Sequence, residues 1–156
     1  MYLIDWQGDP ADALALFDFL RLTGINASPY RRTHNEPSPS LAVLFDPKGR
    51  YSLAPPYPKI ASLEGKDPAA LSVLTHTGIP VIPVGFSSLD SISYSSMTGE
   101  HCSVSIERPI LTLQGEVIPE QELVLTRSCG GIPLLLRLTA ALVLGAPPLG
   151  TALFLR

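Results

Sequence analysis

A short charged turn follows the apolar segment Leu41–Phe45 and contains Lys48, Gly49 and Arg50. Two cationic side chains beside a glycine are typical of an anion-binding turn, because glycine lets backbone N–H groups approach a phosphate. Asp46 could orient Arg50, although Asp-Pro-x-Gly is a common turn by itself. We therefore predict a phosphate-binding site at Lys48, Gly49 and Arg50, with a solvated turn as the alternative.

The other residues with possible chemistry are three histidines, several serines and two cysteines. His76 lies near the predicted end of a helix, where partial positive charge is favoured, and His34 and His101 lie in polar segments. The serines lack the glycine elbow of a serine hydrolase, and no nucleotide-binding glycine motif is present. Cys102 and Cys129 have no metal-ligand spacing, and whether they form a disulfide stays open. We predict no catalytic residue, no metal site and no cofactor.

Two helices with the same start and stop signals must position these segments. Asp9 and Asp67 are predicted N-cap residues, and each is followed by a proline at the first helical position. Gly24 and Gly78 are predicted to end the two helices.

Apolar segments predict the strands, which lie at residues 1–6, 25–30, 41–45, 79–86 and 102–106. Pro80 and Pro83 each remove a ladder donor, so the strand at 79–86 is expected at a sheet edge or to be irregular. Strands that alternate with helices predict an α/β fold, a three-layer domain with a mostly parallel sheet.

Two of these segments, LAVLFDPKGRYS (41–52) and HTGIPVIPVGFSS (76–88), resemble conserved blocks of the glycerolipid and lysophospholipid acyltransferases. The first is similar to their strand and phosphate-binding turn, and the second to a later strand. VSIERPI (104–110) resembles their closing strand, and residues 2–31 resemble the segment that precedes the phosphate block in short bacterial members. The resemblance covers roughly residues 1–118 and implies an acyltransferase-like domain with a phospholipid or acyl ligand.

The chain departs from that family at its catalytic residues. The enzymes use a histidine with an aspartate five positions later, and the histidine is the general base. The residues five positions beyond His34, His76 and His101 are Pro39, Val81 and Ile106. The resemblance therefore implies a domain without its catalytic base.

Composition limits the class of partner. The net charge is −3 and the pI is about 5.5, which argues against nucleic-acid binding because phosphate neutralisation needs clustered Lys and Arg. The charged fraction of 16% lies well below the usual quarter, and the mean hydropathy is +0.26. This apolar excess predicts contact with a membrane or a protein partner.

The apolar excess is greatest at the C-terminus, where residues 138–155 carry no charge. Gly145 and the pair Pro147 and Pro148 interrupt this stretch, so a simple membrane span is not expected. We predict an apolar extension at residues 119–156 beside an α/β domain at 1–118. Three roles stay open for it: a helix at 133–144 packed on the domain, interfacial membrane contact, and a partner-binding tail.

These features lead to one functional expectation with two alternatives. We expect a non-catalytic, acyltransferase-like subunit that is associated through its C-terminal tail with a membrane surface or a protein complex. The first alternative is an active lysophospholipid acyltransferase whose base comes from elsewhere. The second is a small-molecule binding module on a Rossmann-like sheet. The compartment stays open between membrane-associated, cytoplasmic and organellar.

Overall fold

The computed structural model describes residues 1–31, 41–47, 49–55, 57–125 and 130–148. The strands are β1 (Tyr2–Gln7), β2 (Ala27–Pro29), β3 (Leu41–Phe45), β4 (Ile60–Glu64), β5 (Val81–Gly85), β6 (Ile92–Met97), β7 (Cys102–Ile106), β8 (Ile110–Leu111), β9 (Val117–Ile118) and β10 (Gln121–Leu125). The helices are α1 (Pro10–Leu22), α2 (Pro68–Leu74) and α3 (Gly131–Val143). The prediction of an α/β fold is confirmed.

Eight strands form the central sheet in the order β10-β7-β6-β5-β4-β3-β1-β2, and β8 pairs with β9 separately. In this order, the six strands β6, β5, β4, β3, β1 and β2 are parallel to one another. Strands β7 and β10 are antiparallel to their neighbours. The chain leaves β1 for the edge strand β2 and returns on the other side of β1 as β3. In open α/β sheets, ligands bind at the carboxyl ends of strands that flank such a reversal.

Helices cover both faces of this sheet. Along β3, Ala42 and Leu44 pack in the cluster that includes α1 and α3, while Val43 and Phe45 pack with residues of α2. The crossover from β1 to β2 and the crossover from β4 to β5 run in opposite directions along the sheet. Right-handed crossovers that run in opposite directions place their helices on opposite faces. The mostly parallel sheet that the sequence predicts is therefore present between two helical layers.

The predicted start signals operate in α1 and α2, and the predicted stop signal operates in α1. Asp9 accepts a hydrogen bond from the backbone N–H of Ala11 at 2.8 Å, and Asp67 accepts from two backbone N–H groups in the first turn of α2. Gly24 and Gly78 have φ angles of 78° and 71°, which favour glycine after a helix. Local capping thus fixes where α1 begins and ends and where α2 begins. The predicted end of α2 was wrong, because α2 ends at Leu74, four residues before Gly78.

The apolar C-terminal tail expected as an appendage is not supported. Helix α3 runs from Gly131 to Val143, and ten of its residues are buried. It contacts four strands, β3 to β6, and α1. A helix that is apolar on all sides is typically enclosed by the protein, so the packed-helix alternative describes residues 131–143. The domain boundary at residue 118 stays a prediction.

The expectation of an edge position for the proline-containing strand β5 was wrong, because β5 lies between β4 and β6. The carbonyl groups of Pro80 and Val84 accept hydrogen bonds from the β4 side. The carbonyl group of Pro83 instead accepts from Ser91, just before the ladder with β6 begins. The missing N–H of Pro83 therefore removes no bond from the β4–β5 ladder.

Candidate functional site

Aspartates follow the parallel strands where their carboxyl ends meet. Asp9 follows β1, Asp46 follows β3, Asp67 follows β4, and Asp90 lies in the loop after β5. This edge flanks the reversal between β1 and β3, so it is the first place to look for a ligand site. Each carboxylate, however, accepts hydrogen bonds from nearby backbone N–H groups.

Asp46 connects the ends of β1 and β3. Its residue is only 1% exposed, and its Oδ2 accepts a hydrogen bond from the backbone N–H of Asp9 at 3.0 Å. Gly8 lies so close that an added Cβ would stand 2.1 Å from the Cβ of Asp46. This close approach explains why a glycine follows β1, and it gives Asp46 a structural role.

The predicted phosphate turn is packed against the end of β1. The backbone N–H of Gly49 donates to the carbonyl group of Asp46 at 2.8 Å, which closes a turn. A Cβ at Gly49 would lie 2.1 Å from the carbonyl oxygen of Gln7. Arg50 is exposed, and Lys48 lies outside the described residues. The Gly49 amide is thus used within the turn, and phosphate binding by Lys48, Gly49 and Arg50 stays a prediction.

Tyr51 joins the phosphate turn to the start of α2. Its hydroxyl group lies 2.5 Å from Oδ2 of Asp67 and 2.7 Å from the carbonyl oxygen of Asp46. Burial raises the pKa of Tyr51 above its ordinary value, and the hydrogen bond and negative charge of Asp67 raise it further. Its ring packs edge-on against Phe45 with 4.9 Å between centroids. A neutral tyrosine here connects the segment after β3 with the loop that leads into α2.

Asp90 plays the corresponding role near β4 and β5. It is 6% exposed, and its Oδ2 accepts from the backbone N–H of Ser87 at 3.2 Å. Added Cβ atoms at Gly65 and Gly85 would lie 2.0 and 2.4 Å from its carboxylate oxygens. Two glycines therefore make room for this carboxylate, and the edge is organised around close carboxylate packing rather than an open acidic cleft.

Two of the three histidines lie in the part of the chain that the structure describes. His76 and His101 are exposed, and His76 adopts a φ of 64° just after α2. His34 lies outside the described residues, as does Cys129, whereas Cys102 is buried in β7. Within the described ranges, no three His, Cys, Asp or Glu residues are grouped so that they could hold a metal ion.

A mostly apolar cavity of about 290 Å³ adjoins the carboxyl ends of β1 and β2. We call it the α1 cavity. It is lined by Ile4, Asp5, Trp6, Pro10, Ala13, Leu14, Phe17, Pro29 and Tyr30. Helix α1 supplies one wall, because Pro10, Ala13, Leu14 and Phe17 fall on one side at helical spacing. Its position beside the strand reversal and its apolar lining fit a pocket for a small ligand.

Trp6 borders this cavity, and the sequence analysis gave no reason to single it out. Its indole nitrogen is buried and has no hydrogen-bond partner among the residues that the structure describes. Buried polar groups are nearly always paired, so such a group calls for an explanation. The only signal in the sequence is that Trp6 is the sole tryptophan and ends a predicted strand, and neither fact indicates an unpaired N–H.

No family model matches the chain, and no curated protein sequence matches it either. No helix in the described ranges combines the length and the apolar character needed to cross a membrane.

Proposed function

We propose that this chain is a non-catalytic binding domain that holds a small, largely apolar molecule, such as a short acyl group, in the α1 cavity. The cavity itself is the observation that carries the proposal. Its volume of about 290 Å³ is at the lower end of ligand pockets, which suits one short chain or ring. The apolar walls favour such a ligand because its transfer out of water is favourable.

The acyl group is the preferred ligand because of the resemblance to lysophospholipid acyltransferases. Of the four segments that carry it, residues 2–31 contain β1, α1 and β2, and the other three overlap β3, β5 and β7. The family's catalytic pair of His and Asp is missing, which supports binding without turnover. A role as a subunit of a membrane-proximal or other complex remains part of this proposal. The alternative of an unrelated small-molecule module uses the same cavity and differs in the ligand alone.

The attachment of such a subunit needs a surface other than α3. The buried side chains of α3 pack against strands of the same chain and therefore do not supply an apolar face for a membrane or partner. Exposed apolar side chains occur elsewhere, and Leu14, at 67% exposure, lies at the rim of the α1 cavity. A partner that delivers an apolar ligand would meet the domain there.

Binding can be followed through the sole tryptophan, because Trp6 lines the α1 cavity. We expect a saturable change in Trp6 fluorescence when methyl hexanoate is added. Ala13→Leu places extra carbon atoms in the cavity and should weaken binding at least about tenfold, since losing one good apolar contact costs roughly 1.4 kcal/mol. Ala11→Leu adds the same atoms at an exposed position of α1 and is the matched control.

Two results would contradict the proposal. One is a fluorescence change that does not saturate, and the other is equal binding by the Ala13→Leu and Ala11→Leu variants. An acyl-transfer assay tests the non-catalytic part separately. Turnover that disappears when His34 or His76 is replaced by Ala would show that the chain is an active transferase.

A further inference from the structure

The two edge strands of the central sheet, β2 and β10, are protected to different degrees. Strand β2 has three residues and ends in Pro29, and both features limit pairing with a further strand. Strand β10 has five residues, with three apolar side chains and no proline, lysine or arginine. In the described part of the chain, no strand pairs with its outer side. An edge strand without these protections can accept another strand.

The hydrogen bonds of β7 show which backbone groups of β10 face outward. The backbone N–H of Glu107, directly after β7, donates to the carbonyl group of Ser91 on the β6 side at 2.8 Å. Backbone groups of an extended chain alternate between its two sides, so those of Val104 point toward β10. Val104 pairs with Leu123, in a register that runs unbroken along β10. The backbone groups of Leu123 are therefore used in the ladder with β7.

The N–H and C=O groups of Glu122 and Val124, on either side of Leu123, consequently point away from β7. Both side chains are exposed, that of Val124 at 63%. Among the described residues, none is hydrogen-bonded to these outward backbone groups. The open side of β10 thus offers two donors and two acceptors in strand geometry.

Charge and register favour a second copy of β10 as the added strand. In an antiparallel pair centred on Leu123, all five residues are paired, and Glu122 of one copy lies opposite Val124 of the other. A shift by two residues either places Glu122 opposite Glu122, where like charges repel, or extends the pairing beyond the strand. A shift by one residue places outward backbone groups opposite groups that already bond to β7. The strand is therefore complementary to itself in one register.

We propose that this domain forms a two-fold symmetric dimer in which two copies of β10 pair antiparallel through the backbone groups of Glu122 and Val124. The pairing provides about four hydrogen bonds across the axis and joins the two central sheets. One pair of strands is a small interface, so the dimer is expected to be weak, with a dissociation constant in the micromolar range. The dimer does not depend on the ligand proposed for the α1 cavity.

Sedimentation of the wild-type chain from about 1 μM to about 1 mM should show a reversible equilibrium between monomer and dimer. Over the same range, hydrogen exchange should slow at the amides of Glu122 and Val124 but not at that of Ala27, in the other edge strand. A chain that stays monomeric would overturn the proposal and leave an extended segment of another protein as the occupant of this edge. A dimer in which the two amides gain no protection would also overturn it.

Charged variants of Val124 test the register. Val124→Lys places a cation opposite Glu122 of the second copy and should tighten the dimer about three- to tenfold, whereas Val124→Glu should weaken it by a similar factor. Leu22→Lys is the control for net charge, because Leu22 is exposed at the end of α1, which contacts β2 at the far side of the sheet. Equal affinities of the two Val124 variants, or an equal gain from Leu22→Lys, would contradict the proposed pairing.

A proline at the same position tests the backbone hydrogen bonds. Val124→Pro removes an N–H group that the β7 ladder does not use, so circular dichroism should show a folded chain. The dimer should weaken at least about tenfold, because two hydrogen bonds are lost across the axis. Val124→Thr keeps the N–H and the shape, and it should dimerise like the wild-type chain. Unchanged dimerisation of a folded proline variant would overturn the proposal, and if that variant does not fold, the lysine and glutamate variants decide.

Discussion

The carboxyl edge of the sheet and the α1 cavity lie close together and are organised in opposite ways. At the edge, Asp46 and Asp90 are buried and accept backbone hydrogen bonds, with glycines packed against their carboxylates. The walls of the α1 cavity are mostly apolar, and the N–H of Trp6, a residue of its wall, is buried without a hydrogen-bond partner in the described part of the chain. The carboxyl edge is rich in residues that could do chemistry, but its carboxylates are hydrogen-bonded within the domain. The α1 cavity is poor in such residues, but it has room for a ligand.

This difference teaches that residue type alone is a weak guide to a site. Aspartate beside glycine and lysine suggests phosphate chemistry in the sequence, but in the folded chain the backbone N–H groups of Asp9 and Gly49 are already bonded to Asp46. Conversely, an alanine and a leucine on α1 suggest nothing by themselves. They become informative when the fold places them around an empty volume.

Both regions are expected to depend on the hydrophobic core to which α3 belongs. Deletion of α3 is the strongest test of this expectation. Truncation after Gly131 removes a helix whose Leu134, Leu135 and Leu138 are completely buried. Each buried leucine contributes about 1.5–3 kcal/mol, and a domain's total stability is only about 5–15 kcal/mol. We expect an unfolded or aggregated product by circular dichroism and sedimentation. A folded, soluble product would show that the helix is dispensable.

A milder pair of variants on α3 serves as the control. Leu138→Ala should lower the free energy of unfolding by about 2–5 kcal/mol. Arg137→Ala, at the neighbouring and partly exposed position, should cost much less.

The carboxyl edge should be intolerant of added volume. Gly49→Ala would place a Cβ 2.1 Å from the backbone carbonyl oxygen of Gln7, which cannot move without disturbing β1. We expect a loss of about 1–3 kcal/mol in the free energy of unfolding, measured with urea. Gly99→Ala is the matched control, because a Cβ there meets nothing within 4 Å. Equal stability of the two variants would contradict the close packing of the phosphate turn.

Much of the fold follows from local signals, and the missing parts depend on tertiary contacts. The caps at Asp9 and Asp67 and the continuous apolar segment of β3 are local, so α1, α2 and β3 could be predicted. Strand β6 was missed because its serines resemble a loop. Two of its serines have partners elsewhere in the sheet region: the buried Ser93 donates to Glu107, just after β7, and the exposed Ser95 donates to Glu122 of β10.

Strand β4 was also missed, and the α1 cavity could not be predicted from the sequence for a similar reason. Residues 60–64 follow a proline-rich segment and are too short for a clear pattern, yet four of them are buried between β3 and β5. The α1 cavity needs β1, α1 and the end of β2 together, and no one segment of sequence indicates it.

The hydroxyl group of Tyr51, which is hydrogen-bonded at the carboxyl edge, can be removed without changing the aromatic ring. Tyr51→Phe deletes the hydroxyl group between Asp67 and Asp46, and we expect a loss of about 0.5–1.5 kcal/mol at neutral pH. The raised pKa adds a pH signature. The folded chain keeps the Tyr51 proton above pH 10.0, where the unfolded chain loses it. The stability from Tyr51 is therefore complete below pH 10.0 and declines as the pH rises beyond it, by up to about 1.4 kcal/mol per unit.

The measurement is urea unfolding of the wild-type and Tyr51→Phe chains at several pH values. The difference between the two chains should be constant at neutral pH and narrow above pH 10.0. A difference that does not change with pH would mean that the Tyr51 hydroxyl titrates alike in the folded and unfolded chains.

The smallest expected effect comes from the opposite change in the α1 cavity, the removal of an unpaired polar atom. Benzothienylalanine in place of Trp6 keeps the shape of the ring and deletes only the N–H, for which residues 1–31, 41–47, 49–55, 57–125 and 130–148 supply no acceptor. Because no hydrogen bond is lost, the free energy of unfolding should change by no more than about 0.5 kcal/mol, or rise slightly as an unsatisfied donor disappears. Urea unfolding without ligand measures this. A loss as large as that of Tyr51→Phe would mean that the indole N–H has a partner in the free protein, and the contrast between the two regions would then fail.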